Sequence, residues 1–277
     1  MKRNNKKLLI HISIFFGILP FVILPSLLIT SKNKQDDYVF KPVSGFNINI
    51  SVDDVKSSQT KEMINVLLGT SFKNNLAELD KFSKSQTEEK STKELFKKAK
   101  ELTKAYKDKQ DQTNLKNLFD FYSTNWLFLI NNISKFEYKP LDFWKLEPTE
   151  KHSKEFLDKT KKENLPKNNF KFQDNYFNKY TLGEESKHGS NNVYYLRKDK
   201  LIFRLLVSKN DTKVIIDKII LFNESEHNTI SLDLISNILH AIIHKDEVHA
   251  TFEKEIVGEY NLPLLGIFVL GENNEKE

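Results

Sequence analysis

Apolar positions run unbroken by any charged residue over residues 8–29, a stretch of 22 behind a leader holding Lys2, Arg3, Lys6 and Lys7. As a helix it rises about 33 Å, enough to cross a hydrocarbon core of about 30 Å. Inside lipid the backbone must satisfy its own polar groups, which selects a helix. The cationic leader marks the cytoplasmic side, so everything after Ser31 is expected outside. A cleaved signal peptide is the competing reading. The run is longer than a usual signal core, and Leu28-Ile29-Thr30 lacks the small-x-small cleavage pattern.

Beyond the apolar run the pattern divides the chain. Residues 31–58 are polar, with Pro42 and Gly45, and read as a spacer. From residue 59 apolar positions recur at three- and four-residue steps, as at Met63, Val66 and Leu67 and at Leu76 and Leu79. Residues 93–109 form a charged amphipathic helix with Leu95, Phe96, Ala99, Leu102 and Tyr106 on one side. A further helix is expected over 112–133. Residues 138–148 read as a connection punctuated by Pro140 and Pro148, and Thr149 as the N-cap of a short helix reaching Lys162.

After Pro166 the texture becomes β-branched and aromatic. Residues 193–196, 201–207 and 213–222 are separated at hairpin lengths by Asp199-Lys200 and Lys209-Asn210-Asp211, which predicts a three-stranded antiparallel meander. Phe170 and Phe172 can begin another strand. Residues 230–248 return to helical spacing, and 262–271 form a short apolar run, too short to span a membrane and expected as a terminal strand or packed segment. The fold class is therefore α+β: an N-terminal transmembrane helix, a helical subdomain, then an antiparallel β-meander with a C-terminal helix. The expected divisions are an anchor over 1–30, a flexible spacer over 31–58, the helical subdomain over 59–165, and sheet plus helix over 166–277.

Charge changes this picture little. The chain carries a net +5, but the leader's four cations leave only +1 over residues 8–277. A nucleic-acid-binding domain needs a strong basic excess on one face, so nucleic acid is not the expected partner. Lys97, Lys98, Lys100 and Lys104 alternate with Glu94 and Glu101 and read as a solvated helix face. The chain has no Cys, which removes disulfides, thiolate catalysis and cysteine-based zinc sites together.

Aromatic residues concentrate over 119–144, where nine of 26 positions are Phe, Tyr or Trp and both Trp of the chain fall. Phe119, Tyr122 and Trp126 lie on one helical stripe, with Phe143 and Trp144 following. A helix apolar on two faces is ordinarily covered on both sides, so the first reading is core. The second is a partly exposed aromatic shelf for lipid, glycan or a partner protein.

The run Tyr122-Ser-Thr-Asn-Trp126-Leu-Phe-Leu-Ile-Asn-Asn132, with Asp142-Phe-Trp144-Lys and Glu150-Lys-His-Ser-Lys-Glu-Phe156, resembles the aromatic-motif membrane proteins of mycoplasmas. The resemblance implies a surface location on a wall-less bacterium. It implies no catalytic residues and no cofactor.

One constellation suits metal chemistry. His240, His244 and Glu247 are spaced four and then three apart, so a helix places them on one face. Two imidazoles and a carboxylate could hold zinc and leave a position open for water. The same residues equally suit the solvated face of an amphipathic helix, and the run lacks a His-Glu-x-x-His arrangement. If that helix continues, His249 turns to its apolar face as a packing residue. The resulting expectation is a membrane-anchored extracytoplasmic protein that binds a host surface, a partner protein or lipid. An exported metal-dependent hydrolase or nuclease is the alternative.

Overall fold

The computed structural model describes residues 41–42, 58–73, 75–173, 181–185, 190–241 and 248–271. The expected membrane anchor lies outside them, and among the described residues no helix is long and apolar enough to cross a membrane. All described residues fall in one unit, Gln35–Glu277.

Helices come first. α1 (Ser58–Phe72) buries Val66, Leu67 and Leu68. α2 (Leu76–Thr87) starts at Asn75, whose side chain accepts from the Glu78 N–H. α3 (Glu89–Asp108) turns Ala99, Thr103 and Tyr106 inward. α4 (Gln112–Thr124) is capped by Asp111, which accepts from the Asn114 N–H at 2.9 Å.

The single helix expected over 112–133 is interrupted. Asn125 leaves helical geometry at φ −115° and ψ 42°, and α5 (Trp126–Asn131) begins after it. Its amide donates back to the Phe121 carbonyl at 2.9 Å, while its Oδ1 accepts from Gln86 Nε2 at 3.0 Å. An asparagine side chain competes with the backbone in this way and ends a helix that apolar spacing alone would continue. Trp126, Leu127, Phe128, Leu129 and Ile130 are all buried, as a helix apolar on every side must be.

A second correction follows at once. Residues expected as a connection form strand β2 (Phe136–Phe143), whose alternate residues Phe136, Tyr138, Pro140 and Asp142 are buried. Pro140 is tolerated because the register shifts between it and Asp142, a bulge where a missing N–H breaks no ladder. Thr149 lies in a 3₁₀ turn, and the helix α6 (Lys154–Lys159) is capped instead by Ser153, which accepts from the Phe156 N–H at 3.1 Å.

The other strands are β1 (Lys41–Pro42), β3 (Phe170–Lys171), β4 (Thr181–Glu185), β5 (Asn191–Lys198), β6 (Leu201–Ser208), β7 (Val214–Leu221) and β8 (Leu264–Leu270). Thus the expected meander is present as β5–β6–β7 within a larger antiparallel sheet of order β1-β4-β5-β6-β7-β8-β2-β3. Asp199, at φ 52°, supplies the left-handed residue that the tight β5–β6 turn requires. The apolar run 262–271 becomes β8, buried along its whole length between β7 and β2.

Helices and strands are joined by buried hydroxyls. Ser123 Oγ of α4 accepts from the Ile216 N–H of β7 at 2.9 Å, and Thr103 Oγ1 of α3 accepts from the Leu270 N–H of β8 at 3.0 Å. The C-terminal helices are α7 (Leu232–Ala241), α8 (Val248–Thr251), a π-helical turn (Phe252–Val257) and α9 (Gly258–Tyr260).

Candidate functional site

Two aromatic nests emerge from the one cluster visible in the sequence. In the first, Phe136 of β2 meets Tyr122 of α4 edge-on at 5.7 Å and Phe128 of α5 at 5.8 Å, while Phe96 of α3 lies 4.8 Å from Phe128. Trp126 stacks beside Phe82 of α2 at 5.9 Å. In the second nest, Trp144 meets Phe252 of the π-helical turn edge-on at 5.1 Å. Phe119, Tyr122, Trp126, Phe143 and Trp144 are all buried, with Phe119 the most accessible at 8%. Each nest contributes packing at about 1.5–3 kcal/mol per fully buried large side chain.

A cluster of titratable side chains borders the second nest. His152 follows the 3₁₀ turn Thr149–Lys151, and its ring stacks on Phe156 at 4.3 Å and meets His249 edge-on at 4.7 Å. The Leu146 N–H donates to His152 Nε2 at 2.9 Å, and His152 Nδ1 lies 2.8 Å from Glu253 Oε1. A backbone donor on Nε2 requires a lone pair there. The neutral ring therefore carries its proton on Nδ1 and gives it to Glu253, a tautomer assigned from its partners.

Glu253 Oε1 also accepts from the Ser153 N–H at 2.9 Å. The carboxylate thus clamps the start of α6 to the π-helical turn, from a residue 100 positions away. A π-turn shifts the side chains that follow it relative to an α-helix, and such turns recur at functional positions.

The electrostatics follow from this geometry. Burial pushes the His152 imidazole below its ordinary value; the Glu253 hydrogen bond opposes that shift, and the neighbouring His249 reinforces it. Burial would raise the Glu253 carboxyl, but hydrogen bonds from Ser153 and His152 outweigh it and hold the group below the usual range. His249 is 4% exposed, and neither of its ring nitrogens has a partner among the described residues.

Chemically, the arrangement is a clamp. With one ring nitrogen receiving a backbone N–H and the other facing a carboxylate, His152 has no free lone pair for a substrate proton or a metal. A second polar group sits at the bulge between β6 and β7, where Arg204 Nη1 contacts Asp217 at 2.6 Å and Lys218 is 4% exposed. Burial would raise the Asp217 carboxyl, but Lys218 and Arg204 hold it below its ordinary value.

Of the expected zinc residues, His240 occupies a backbone position in α7, while His244 and Glu247 lie outside the described residues. Among the described residues no three His, Asp or Glu side chains converge as a metal site would require. Sequence reading placed His152 inside the motif over 150–156 but gave no signal for its pairing with Glu253, because nothing local marks a contact 101 positions apart.

Among known families, a model described as aromatic cluster surface protein matches residues 40–261, which takes in both nests and the His152–Glu253 clamp and stops short of β8. No curated protein and no solved structure matches the chain.

Proposed function

The chain belongs to the aromatic cluster surface protein family, and from that premise we propose that it is a membrane-anchored extracytoplasmic protein whose role is contact with a host surface, a partner protein or lipid. The family description carries the surface location. The tether and its direction draw support from the uncharged run over residues 8–29 and the four cations before it. The aromatic residues do not themselves supply that contact. With Tyr122, Trp126 and Trp144 inside, contact falls to the polar exterior of the helices and loops.

Protease treatment of whole cells and of inverted membrane vesicles tests the location. Residues 31–277 are expected to be digested on whole cells and protected in inverted vesicles. The reverse pattern would place the bulk of the chain in the cytosol and end the surface role.

A further inference from the structure

Helix α3 carries seven lysines against four acids, Glu89, Glu94, Glu101 and Asp108. Lys90, Lys93, Lys97, Lys100, Lys104 and Lys107 follow one another at steps of three and four residues, and all of them are exposed. At 100° per residue the six fall within an arc of about 100°, and they extend along about 26 Å of helix axis. Glu94, Glu101 and Asp108 line one flank of this strip, and the buried residues Ala99, Thr103 and Tyr106 face away from it.

Acids stand four residues after Lys90, Lys97 and Lys104 on that flank, yet like charges three or four residues apart repel, and solubility alone does not call for such a row of lysines. The strip places every lysine beside another. Lys93 pairs with Glu89, an exposed contact of little energetic consequence, and Lys90, Lys97, Lys100 and Lys104 make no ion pair among the described residues.

We propose that the Lys90–Lys107 face of α3 is a docking strip for the phosphate headgroups of an anionic lipid surface. Lysine is a hydrated point charge suited to a diffuse negative potential, whereas recognition of discrete phosphates favours the bidentate fork of arginine. The strip contains no arginine and no aromatic side chain on which a base could stack, which argues against nucleic acid. It contains no apolar side chain either, and the one large exposed hydrophobic among the described residues is Leu76. Contact is therefore adsorption to headgroups without insertion. With the chain beyond the leader near neutral, such a strip orients the molecule.

This inference names a partner for the proposed surface role and rests on it. The full chain is reconstituted into vesicles of phosphatidylcholine alone or with about 30% phosphatidylglycerol, and lysines are footprinted with a water-soluble acylating reagent. Lys90, Lys97, Lys100 and Lys104 are expected to react about fivefold more slowly in the anionic vesicles, and the protection to vanish in about 0.5 M salt. Lys154 and Lys162, exposed elsewhere, should react alike in both. The charge-conserving pair Glu94→Lys and Lys97→Glu should abolish the protection of the remaining lysines.

Equal reactivity of the strip in both vesicles overturns the proposal. So does protection by inorganic phosphate at matched ionic strength, or by a DNA duplex in neutral vesicles where phosphatidylglycerol gives none. The wild-type footprint decides the matter even if the exchanged variant fails to fold. Failure of the full chain to co-float with neutral vesicles would instead count against the tether.

Discussion

The ring of Tyr138 lies where a side chain at position 266 would stand: a Cβ on Gly266 would come within 2.3 Å of Tyr138 Cζ and 2.6 Å of the Lys139 carbonyl oxygen. The Tyr138 hydroxyl crosses to β8 and donates to the Leu264 carbonyl at 2.8 Å. Together these contacts fix the register of β2 on β8, the pairing that ties the strand following the helices to the strand beside the meander. Gly266→Ala is expected to destabilise the fold by about 2 kcal/mol or more, since the neighbours are backbone and a buried ring that cannot yield cheaply. Chemical denaturation measures it. A wild-type midpoint would show that the ring is not held there.

The hydroxyl of Thr103 is predicted to matter more than its volume. Thr103→Val keeps the shape but leaves the Leu270 N–H buried without an acceptor, at a cost of about 1–3 kcal/mol. Hydrogen exchange at the Leu270 amide should accelerate in the same variant. An unchanged exchange rate would show that another acceptor serves.

Acid should loosen the second nest in two stages. The His152 pKa is lowered in the fold, so the unfolded chain binds the proton more readily. The stabilisation is complete above the unfolded value of 6.5 and is lost as pH falls from there through the folded value. Glu253 is also lowered, and its contribution declines in the same direction once pH falls below its ordinary 4.5. Unfolding free energy measured from pH 7.5 to 5 should therefore fall on acidification, and His152→Gln should flatten that limb. A wild-type profile flat through this range would contradict the clamp.

Glu253→Gln probes the same clamp from its other end. Loss of the carboxylate weakens the bond that supports the His152 proton, so imidazole titration followed by NMR should move to lower pH. The Ser153 N–H loses a charged acceptor, and stability should drop by about 1–2 kcal/mol. An unmoved His152 titration would place Glu253 outside the clamp.

Local signals carried part of this fold and tertiary ones the rest. Strands β5, β6 and β7 were legible because β-branched runs met a turn that Asp199 can adopt. The strand β2 was hidden because Pro140 imitates a loop, and only the bulge against β8 makes it admissible. The break at Asn125 depends on Gln86, 39 positions earlier, so helical spacing read straight through it. β8 was visible as an apolar run, but its position between β7 and β2 is a fact of topology. At the candidate site, helical phase put His249 on a buried face, while the pairing of His152 with Glu253 had no local trace. The lysines of α3, alternating with Glu94 and Glu101, read as a solvated face, and their row stands out only once α3 is known to bury its opposite side.

Tryptophan fluorescence tests most directly whether the family's aromatic hallmark is interior packing, with contact left to the outer surface. The chain has two Trp, Trp126 and Trp144, at 2% and 1% exposure. The native emission of the full chain is predicted to be blue-shifted and nearly insensitive to iodide, with quenching rising sharply only on unfolding. Strong iodide quenching of the native protein would show an open aromatic shelf and contradict the account.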